Sequence, residues 1–481
     1  MALVLGAAFG GRATHVEVRD ATTGALVAEG RARHVDLGPD VDVDDPTAWW
    51  RSLVAAVAHA GEREIAAIAV CGSHPGLVLL DGAGAVLRPI QPWAEAHGEP
   101  DATRLRTALG AERWARQAGM LPTARSAVAR LAWLRRTDPS TFARIGAALL
   151  PHDWLTYRLA GKAVTDRGSA SLTGAWSPSA EAWIPEVLAA LGGPSAGWEP
   201  RLPQVLGPTE RADWLTAPVY DLLGLRGRPV VAPGTGEPMA VALALGLRAG
   251  RVAISLSPST TVLAGLAEPI ADPTGTVRSR ADATGRHLAV TTTAGGAGLV
   301  DAISGLLEVD AEGLGALALA AEGSADTPLL VPGVPGRGDA VLTGLGGRTT
   351  RAGVARATFD GVASSALDAI DQILDAGGTW DEDEPLRLTG PPAGLHVHAR
   401  VLATLAGRPV LPSPAGSLAA AGACVQAAAV LTGDPPEAIA DSWEPTAGEW
   451  VDPDDDPDRL DRRVAHADER ARQRRAALER T

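Results

Sequence analysis

The same order of secondary-structure signals occurs twice along this chain of 481 residues, and this repetition limits the folds that it can adopt. Three short apolar segments separated by glycine turns predict a meander of strands at residues 3–6, 14–18 and 26–34. An amphipathic stretch that follows Asp45 and ends at Gly61 then predicts a helix. Near residue 252 the order starts again, with strand-like segments and a helical segment at 351–376. Two copies of a meander followed by helices predict a duplicated α/β protein.

The length of the chain predicts two domains, because a single hydrophobic core seldom grows beyond about 250–300 residues. We expect a first domain at 1–245, a second at 246–450, and an acidic linker followed by a charged helix at 451–481. Hydrophobic residues make up 46% of the sequence and charged residues 21%, which is typical of a folded globular protein. The two domains should face each other across a ligand-binding cleft, and the C-terminal helix should pack weakly or remain exposed.

Charge and cysteine content exclude several functional classes. A net charge of −14 at pH 7 repels phosphate backbones and anionic lipids, so we expect no nucleic-acid and no membrane partner, and a small-molecule ligand instead. Cys71 and Cys424 stand far apart without a metal-binding spacing, which predicts neither a disulfide framework nor a zinc site. Because there is no export signal and no apolar run of about 20 residues, the expected location is the reducing cytoplasm.

A glycine-rich stretch at 333–353 shows no hydrophobic periodicity and is longer than most connections in compact domains. Connections of this length are usually functional or mobile. The sequence therefore predicts an irregular loop there.

Several long segments carry a resemblance to a known family. The densest, LLPHDWLTYRLAGKAVTDRGSASLTGAW at 149–176, is similar to the part of a xylulokinase in which a helix ends and a V-T-D strand leads into a Ser/Thr-rich loop. Further similar segments lie at 76–93, 229–247, 251–265 and 387–423, so the likeness extends over almost the whole chain. The sequence is identified as a member of the FGGY family of carbohydrate kinases, closest to xylulokinase.

The resemblance implies a fold, a reaction and a set of partners. The fold is two duplicated actin-like (RNase H-like) ATPase domains facing across a cleft. The reaction transfers the γ-phosphate of ATP to a hydroxyl of a ketose or polyol, with ATP and Mg²⁺ as the cofactors of an active enzyme. The partner is a small sugar or polyol, and a homodimer is one assembly that the resemblance allows.

The resemblance assigns the catalytic base to Glu237, which is one methylene longer than the aspartate of the family. The alternative is that Glu237 is only an N-terminal helix residue favoured by the helix dipole, with Pro238 in the first turn. Ala8 stands where the family has an aspartate that helps to hold the metal, and a methyl group cannot bind Mg²⁺. We therefore predict no metal-ligating residue.

On the sugar side, the family motifs Gln-Met-His and Trp-Asn-Asp are replaced in part. The residues at these positions, and hence the predicted sugar-binding residues, are Ser73, His74, Trp93 and Glu95, of which only Trp93 is unchanged. An imidazole and a carboxylate can still hydrogen-bond a polyol. The alternative for His74, which precedes a proline, is an ordinary loop residue.

On the nucleotide side, three turns are similar to the phosphate-binding and adenosine-binding turns of the family. The predicted contacts are Gly10, Gly11, Ser257, Ser259, Thr260, Gly390 and Ala393. Pro258 removes one amide donor from the second turn, and two prolines after Gly390 stiffen the third. The alternative for the first two turns is a plain hairpin between strands.

These replacements leave three hypotheses. The chain is an FGGY homologue whose catalysis is weakened or lost, which the coincidence of replacements favours; or an active kinase with Glu237 as the base; or a sensor that only binds sugar or nucleotide. An active enzyme would have to place its metal on Glu237, on Asp166 or on water, although Asp166 also suits a cap for the segment after Thr165. An actin-like ATPase with another output is a distant fourth possibility.

Overall fold

The computed structural model describes residues 2–38, 45–72, 76–90, 95–192, 197–257, 259–321, 328–333, 340–390, 395–413, 416–443 and 449–478. By their internal contacts, the residues form two compact units that alternate along the chain. The first unit comprises 1–247, 267–288 and 416–445, and the second comprises 248–266, 289–415 and 446–481. Residues 416–445 thus pack with the first unit although they lie in the second of the domains expected from the sequence.

The strands of both units, numbered in chain order, are the following. They are β1 (Leu3–Phe9), β2 (Ala13–Asp20), β3 (Leu26–Arg33), β4 (Ala67–Gly72), β5 (Val78–Leu80), β6 (Ala147–Leu149), β7 (Val164–Asp166), β8 (Trp176–Ser177), β9 (Ala182–Trp183), β10 (Gln204–Leu206), β11 (Asp213–Trp214), β12 (Val230–Val231), β13 (Thr235–Gly236), β14 (Val252–Leu256), β15 (Thr260–Leu266), β16 (Arg278–Ala281), β17 (His287–Thr293), β18 (Leu329–Val331), β19 (Val341–Thr343), β20 (Leu386–Thr389) and β21 (Val410–Pro412).

The α-helices are numbered in the same way. They are α1 (Pro46–Ala60), α2 (Glu95–Leu109), α3 (Ala111–Ala118), α4 (Ala127–Thr137), α5 (Pro139–Ala143), α6 (Pro151–Ala160), α7 (Arg167–Leu172), α8 (Pro185–Ala190), α9 (Ala217–Leu223), α10 (Glu237–Ala244), α11 (Ala297–Leu306), α12 (Ala311–Ala320), α13 (Arg351–Asp375), α14 (Leu395–Ala406), α15 (Leu418–Thr432), α16 (Pro436–Ser442) and α17 (Arg459–Leu478). Within the described residues no helix is both long enough and apolar enough to span a membrane.

The sheet of the first unit has the strand order β11-β12-β4-β1-β2-β3, and β13 also pairs with β4. The meander β1-β2-β3 is antiparallel, whereas β1, β12 and β13 run parallel to β4. Apolar side chains cover both faces. Trp49 and Trp154 belong to the core on one face, and alanines of α10 and α15 fill the other. The close approach of α15 requires Gly6, because a Cβ there would lie 2.2 Å from the Ala420 carbonyl oxygen.

The second unit repeats this arrangement. Its sheet contains, in spatial order, β17-β15-β14-β20-β21, with an antiparallel β14-β15 hairpin and parallel β14-β20 and β20-β21 pairs. The order β2-β1-β4 of the first unit and the order β15-β14-β20 of the second are therefore equivalent. The strands and helices predicted for both copies are present, so the duplicated α/β organisation is confirmed.

The C-terminal helix differs from the sequence prediction. Helix α17 is packed rather than weakly attached or exposed: His466 and Arg470 keep only 3% and 8% of their surface exposed. Arg463 pairs with Asp371 of α13 at 2.9 Å, and Arg470 pairs with Asp368 of the same helix. The many charges suggested a solvated helix, but several of them are used in ion pairs against α13.

Two further segments also differ from expectation. The stretch at 333–353 is not wholly irregular, because β19 pairs with β18 within it and α13 begins at Arg351; residues 334–339 lie outside the described residues. The V-T-D strand is present as β7, but the segment after it forms helix α7 instead of a loop. Asp166 is the reason, because its side chain accepts a 2.8 Å hydrogen bond from the Ser169 amide and so caps that helix.

Candidate functional site

The carboxyl ends of β1, β4 and β13 lie side by side in the first unit. Phe9 of β1 and Gly236 of β13 are both in register with Gly72, the last residue of β4. In sheets with parallel strands, ligands usually bind beyond the carboxyl ends. This edge therefore collects the turn after β1, the segment after Gly72 and the start of α10.

The turn after β1 contains Gly10 and Gly11. The Gly10 amide donates a 3.1 Å hydrogen bond to the Ala13 carbonyl oxygen, so it closes the β1-β2 hairpin. A Cβ added at Gly11 would meet no atom within 4 Å, which leaves the outer side of the turn open. The turn is thus a hairpin whose Gly11 backbone a ligand could approach closely, and its role in phosphate binding stays a prediction.

Glu237 is the first residue of α10, and its side chain is exposed at this edge. Burial raises the pKa of the Cys71 thiol well above its usual value, and the nearby charge of Glu237 adds to that rise. Glu237 therefore lies close to the end of β4. Pro238 occupies the first turn, where its missing amide hydrogen costs no helical hydrogen bond. This position suits both predicted roles, the base and the helix-start residue.

Ala8 belongs to the apolar cluster that also includes Cys71, Met239 and Ala420. Asp166 is 3% exposed, and its two carboxylate oxygens accept hydrogen bonds from the Ser169 amide and the Thr235 hydroxyl. Among the residues that the structure describes, no three acidic, histidine or cysteine side chains come together as a metal site. Asp166 acts as a helix cap, and both of its carboxylate oxygens are already engaged in hydrogen bonds.

In the second unit, the turn between β14 and β15 holds Ser257, Ser259 and Thr260. The Ser257 amide and hydroxyl both donate to the Ser259 carbonyl oxygen, at 3.0 and 2.7 Å, and the Thr260 hydroxyl donates to the Gly295 carbonyl oxygen at 2.6 Å. Several donors predicted to bind phosphate are thus already used in hydrogen bonds to backbone carbonyl oxygens. Gly296 caps α11 directly beside it, since a Cβ there would lie 2.3 Å from the Ser257 carbonyl oxygen.

Gly390 follows β20 at the same edge of the second sheet. Thr389 of β20 is in register with Ser255 of β14, so Gly390 lies beside the turn between β14 and β15. A Cβ at Gly390 would lie 2.7 Å from the Leu256 Cβ, which explains why this position needs glycine. Ala393, its predicted partner in adenosine binding, lies outside the described residues.

Of the four predicted sugar-binding residues, only Glu95 belongs to the part of the chain that the structure describes. Ser73, His74 and Trp93 lie outside the described residues, and Glu95 is the first residue of α2. Ser73 and His74 follow Gly72 directly in sequence, so the chain enters their segment from the edge that also carries Glu237. Their roles stay predictions.

The sequence did not indicate His152 as part of this site. His152 is 2% exposed in α6, and a Cβ added to Gly72 would lie 3.2 Å from its Cβ. Burial lowers the pKa of His152, but the charges of Asp153 and Asp166 outweigh burial and raise it above the usual value. In the sequence, His152 is notable only as part of the Pro-His-Asp start of α6. That pattern does not reveal its contact with Gly72.

The chain is similar in sequence to known carbohydrate kinases. Residues 3–243 match the family model described as the FGGY family of carbohydrate kinases, N-terminal domain. A xylulose kinase of Streptomyces coelicolor is 38% identical over 463 residues, which cover 94% of this chain and 92% of that protein. A xylulose kinase of Streptomyces rubiginosus is 37% identical, covering 93% and 92%.

The fold is shared with a solved relative. The crystal structure of a xylulose kinase from Bifidobacterium adolescentis superposes with a TM-score of 0.82 at 30% identity, covering 98% of this chain and 99% of that one. The resemblance inferred from the sequence and the predicted actin-like α/β fold are thereby confirmed. With an N-terminal family match, full-length relatives and a common fold, the chain belongs to the FGGY family of carbohydrate kinases.

Proposed function

We propose that this protein is a xylulokinase-like enzyme that transfers the γ-phosphate of ATP to a hydroxyl of a ketose or polyol, at a reduced rate. The observation that carries the proposal is the position of Glu237, an exposed carboxylate at the start of α10 and at the carboxyl end of the first sheet. The full-length similarity to proteins named xylulose kinases supports the substrate class.

Glu237 would act as the base that accepts the proton of the attacking hydroxyl. A carboxylate at the first position of a helix interacts favourably with the positive end of the helix dipole, and an ionised carboxylate can accept a proton. A base must lie within about 2.6–3.2 Å of the hydroxyl oxygen. Because glutamate reaches further than the aspartate of the family, the hydroxyl must bind slightly further from the helix, and a displaced geometry slows the reaction.

The reduced rate follows from two further features. Ala8 adds an apolar methyl group where the family has a metal-binding aspartate, so any Mg²⁺ would arrive on the ATP phosphates and be held mainly by them. The Ser257 hydroxyl is engaged within its own turn, and the Thr260 hydroxyl donates to the Gly295 carbonyl oxygen. Since phosphoryl transfer depends mainly on positioning and charge stabilisation, losing one such contact costs about 10²–10³ in rate.

A second candidate is a sensor that binds sugar or nucleotide without turnover. The hydrogen bonds of Ser257 and Thr260 favour it over turnover, because donors that are already engaged cannot stabilise the phosphoryl group during its transfer. Both candidates use the same edges of the sheets. Only the first requires Glu237 to exchange a proton.

The test is a coupled ADP-release assay with ATP, Mg²⁺ and a panel of D-xylulose, D-ribulose, glycerol and gluconate. Glu237→Gln should abolish sugar-dependent turnover. The matched control is Glu112→Gln, since Glu112 is likewise exposed and in the first turn of a helix, and it should leave turnover unchanged.

If the wild type shows no turnover while sugar or nucleotide still raises its Tm, the sensor replaces the kinase. Turnover near the ordinary kinase range of about 1–100 s⁻¹ would instead show that catalysis is not weakened.

A further inference from the structure

The three residues that precede Gly236 and Glu237 are held by side chains from three other elements. The Thr156 hydroxyl donates to the Pro233 carbonyl oxygen at 3.3 Å, and Gln426 donates to the Gly234 carbonyl oxygen at 2.9 Å. The Thr235 hydroxyl donates to Asp166 Oδ2 at 2.7 Å. Because these partners are buried, water cannot readily replace them. Each of the three residues before Gly236 is therefore fixed by a hydrogen bond of its own.

Asp166 is the charged member of this set. It is 3% exposed, and its Oδ1 caps α7 while its Oδ2 accepts from Thr235. Burial raises the pKa of Asp166 above its usual value, while the hydrogen bonds from Ser169 and Thr235 and the nearby His152 act in the opposite direction. Asp166 therefore depends on these partners, because a buried polar group that loses its hydrogen bonds costs free energy.

His152 contacts both the segment before Glu237 and the end of the neighbouring strand β4. A Cβ at Gly72 would lie 3.2 Å from the His152 Cβ, and a Cβ at Gly234 would lie 3.6 Å from the His152 Cδ2. The His152 side chain thus lies against Gly72, the last residue of β4, through its Cβ and against Gly234, in the turn before β13, through its ring. Both backbone segments leave the sheet at the edge that carries the candidate site, so a displacement of His152 or Asp166 would reach both.

We propose that Asp166 is a positioning residue that fixes the carboxylate of Glu237 through the hydrogen bond it accepts from Thr235. His152 assists by packing against Gly72 and Gly234. The proposal rests on the proposed role of Glu237. A base must be placed to within a fraction of an ångström, and a misplacement of about 1 Å can cost about 10²-fold in rate. Asp166 touches neither substrate nor nucleotide in this role.

The simpler role of Asp166 is to cap α7, and the substitution must separate the two. Thr235→Val removes only the hydroxyl that Asp166 Oδ2 accepts from, with almost no change of shape, and leaves the cap from Oδ1 to Ser169 in place. Thr235→Ser restores the hydroxyl. The matched control is Thr358→Val, which removes another buried threonine hydroxyl, one that donates to the Val354 carbonyl oxygen within α13 of the second unit.

The first measurement is hydrogen–deuterium exchange of peptides that cover 232–241 in the full-length wild type and the three variants. Thr235→Val should speed exchange of the amides after Gly234 by about tenfold, because a local opening no longer breaks the buried bond to Asp166. Thr235→Ser and Thr358→Val should exchange like the wild type in this segment. In the ADP-release assay, Thr235→Val should lower kcat by about tenfold or more while KM for the sugar changes little, and serine should restore kcat.

The outcomes separate this proposal from the proposed function. Unchanged exchange over 232–241 in Thr235→Val, or a serine variant that behaves like valine, overturns the positioning role. A wild type that shows no sugar-dependent ADP release refutes the kinase, and the exchange result then still decides whether Asp166 fixes this segment. Altered exchange together with an unchanged kcat shows a merely structural bond and also overturns the proposal.

Discussion

Gln426 donates a 2.9 Å hydrogen bond from Nε2 to the carbonyl oxygen of Gly234, although 192 residues separate the two in the chain. Both residues are buried in the first unit. Gly234 has a φ of 81°, and a Cβ there would lie 2.7 Å from the Val70 carbonyl oxygen. The turn before β13 thus depends on helix α15, which is contributed by a distant part of the sequence.

We expect Gln426→Leu to destabilise the protein. The leucine keeps much of the volume but leaves the Gly234 carbonyl oxygen buried without its donor, which costs about 1–3 kcal/mol. Urea unfolding followed by circular dichroism measures the loss. Gln204→Leu is the control, because Gln204 is exposed and its substitution should stay within about 0.5 kcal/mol of the wild type. Equal stabilities of the two variants would show that the Gln426 bond contributes nothing.

The sequence predicts those parts of the site that depend on residues close together in the chain, and not those that depend on distant residues. The strands β1 to β3 and the hairpin of Gly10 and Gly11 depend on local alternation and turn residues, and they were predicted correctly. The bond between Thr235 and Asp166 joins residues far apart in sequence, so no local pattern could reveal it. The family resemblance supplied Glu237 by position alone.

The C-terminal helix shows the opposite limit. Its arginines and acidic residues predicted a solvated surface, since charged residues are seldom buried. Burial of Arg470 became possible only because α13 presents Asp368 opposite it. Asp368 lies 102 residues from Arg470 in the chain, so the composition of the helix alone cannot predict this pair.

Restoring the family residues should raise the kinase rate. We expect Ala8→Asp combined with Glu237→Asp to increase sugar-dependent ADP release by about tenfold or more, since the first supplies an oxygen ligand for Mg²⁺ and the second shortens the base. The dependence on Mg²⁺ should saturate at lower concentration. Coupled assays over a Mg²⁺ series measure both effects.

The single variants separate the two contributions. Ala8→Asp alone should lower the Tm, because it introduces a carboxylate into an apolar cluster, and should still shift the Mg²⁺ dependence. Glu237→Asp alone should change kcat without shifting that dependence. A double variant no faster than the wild type would contradict our proposal that these replacements reduce the rate.

Stability should fall between pH 6.5 and pH 4 because of His398. Burial lowers its pKa from 6.5 in the unfolded chain to about 4 in the folded protein, so the folded state holds it neutral. The stabilisation is therefore complete above pH 6.5 and is lost as the pH falls toward 4. At about 1.4 kcal/mol for each pKa unit, the loss amounts to about 3 kcal/mol.

Urea unfolding at several pH values checks this effect. His398→Gln should reduce the loss between pH 6.5 and 4, because position 398 no longer takes up a proton on unfolding; burial also lowers the pKa of His466 to about 4, so this residue keeps its own share of the loss. His396→Gln is the control, since His396 lies exposed on the same helix α14 and should leave the pH dependence as in the wild type. Equal slopes for the wild type and His398→Gln would contradict the assignment.

Removal of helix α17 should destabilise the second unit. A chain that ends at Asp458 loses the ion pairs of Arg463 with Asp371 and of Arg470 with Asp368, together with the burial of His466. Because these ion pairs and the packing of α17 are lost together, we expect the Tm to fall by roughly 5 °C or more. Differential scanning calorimetry measures the change. Deletion of residues 479–481 alone is the control and should leave the Tm unchanged. If the two truncations melt alike, α17 adds nothing to stability, and the weakly attached helix expected from its charge is the better description of its energetics.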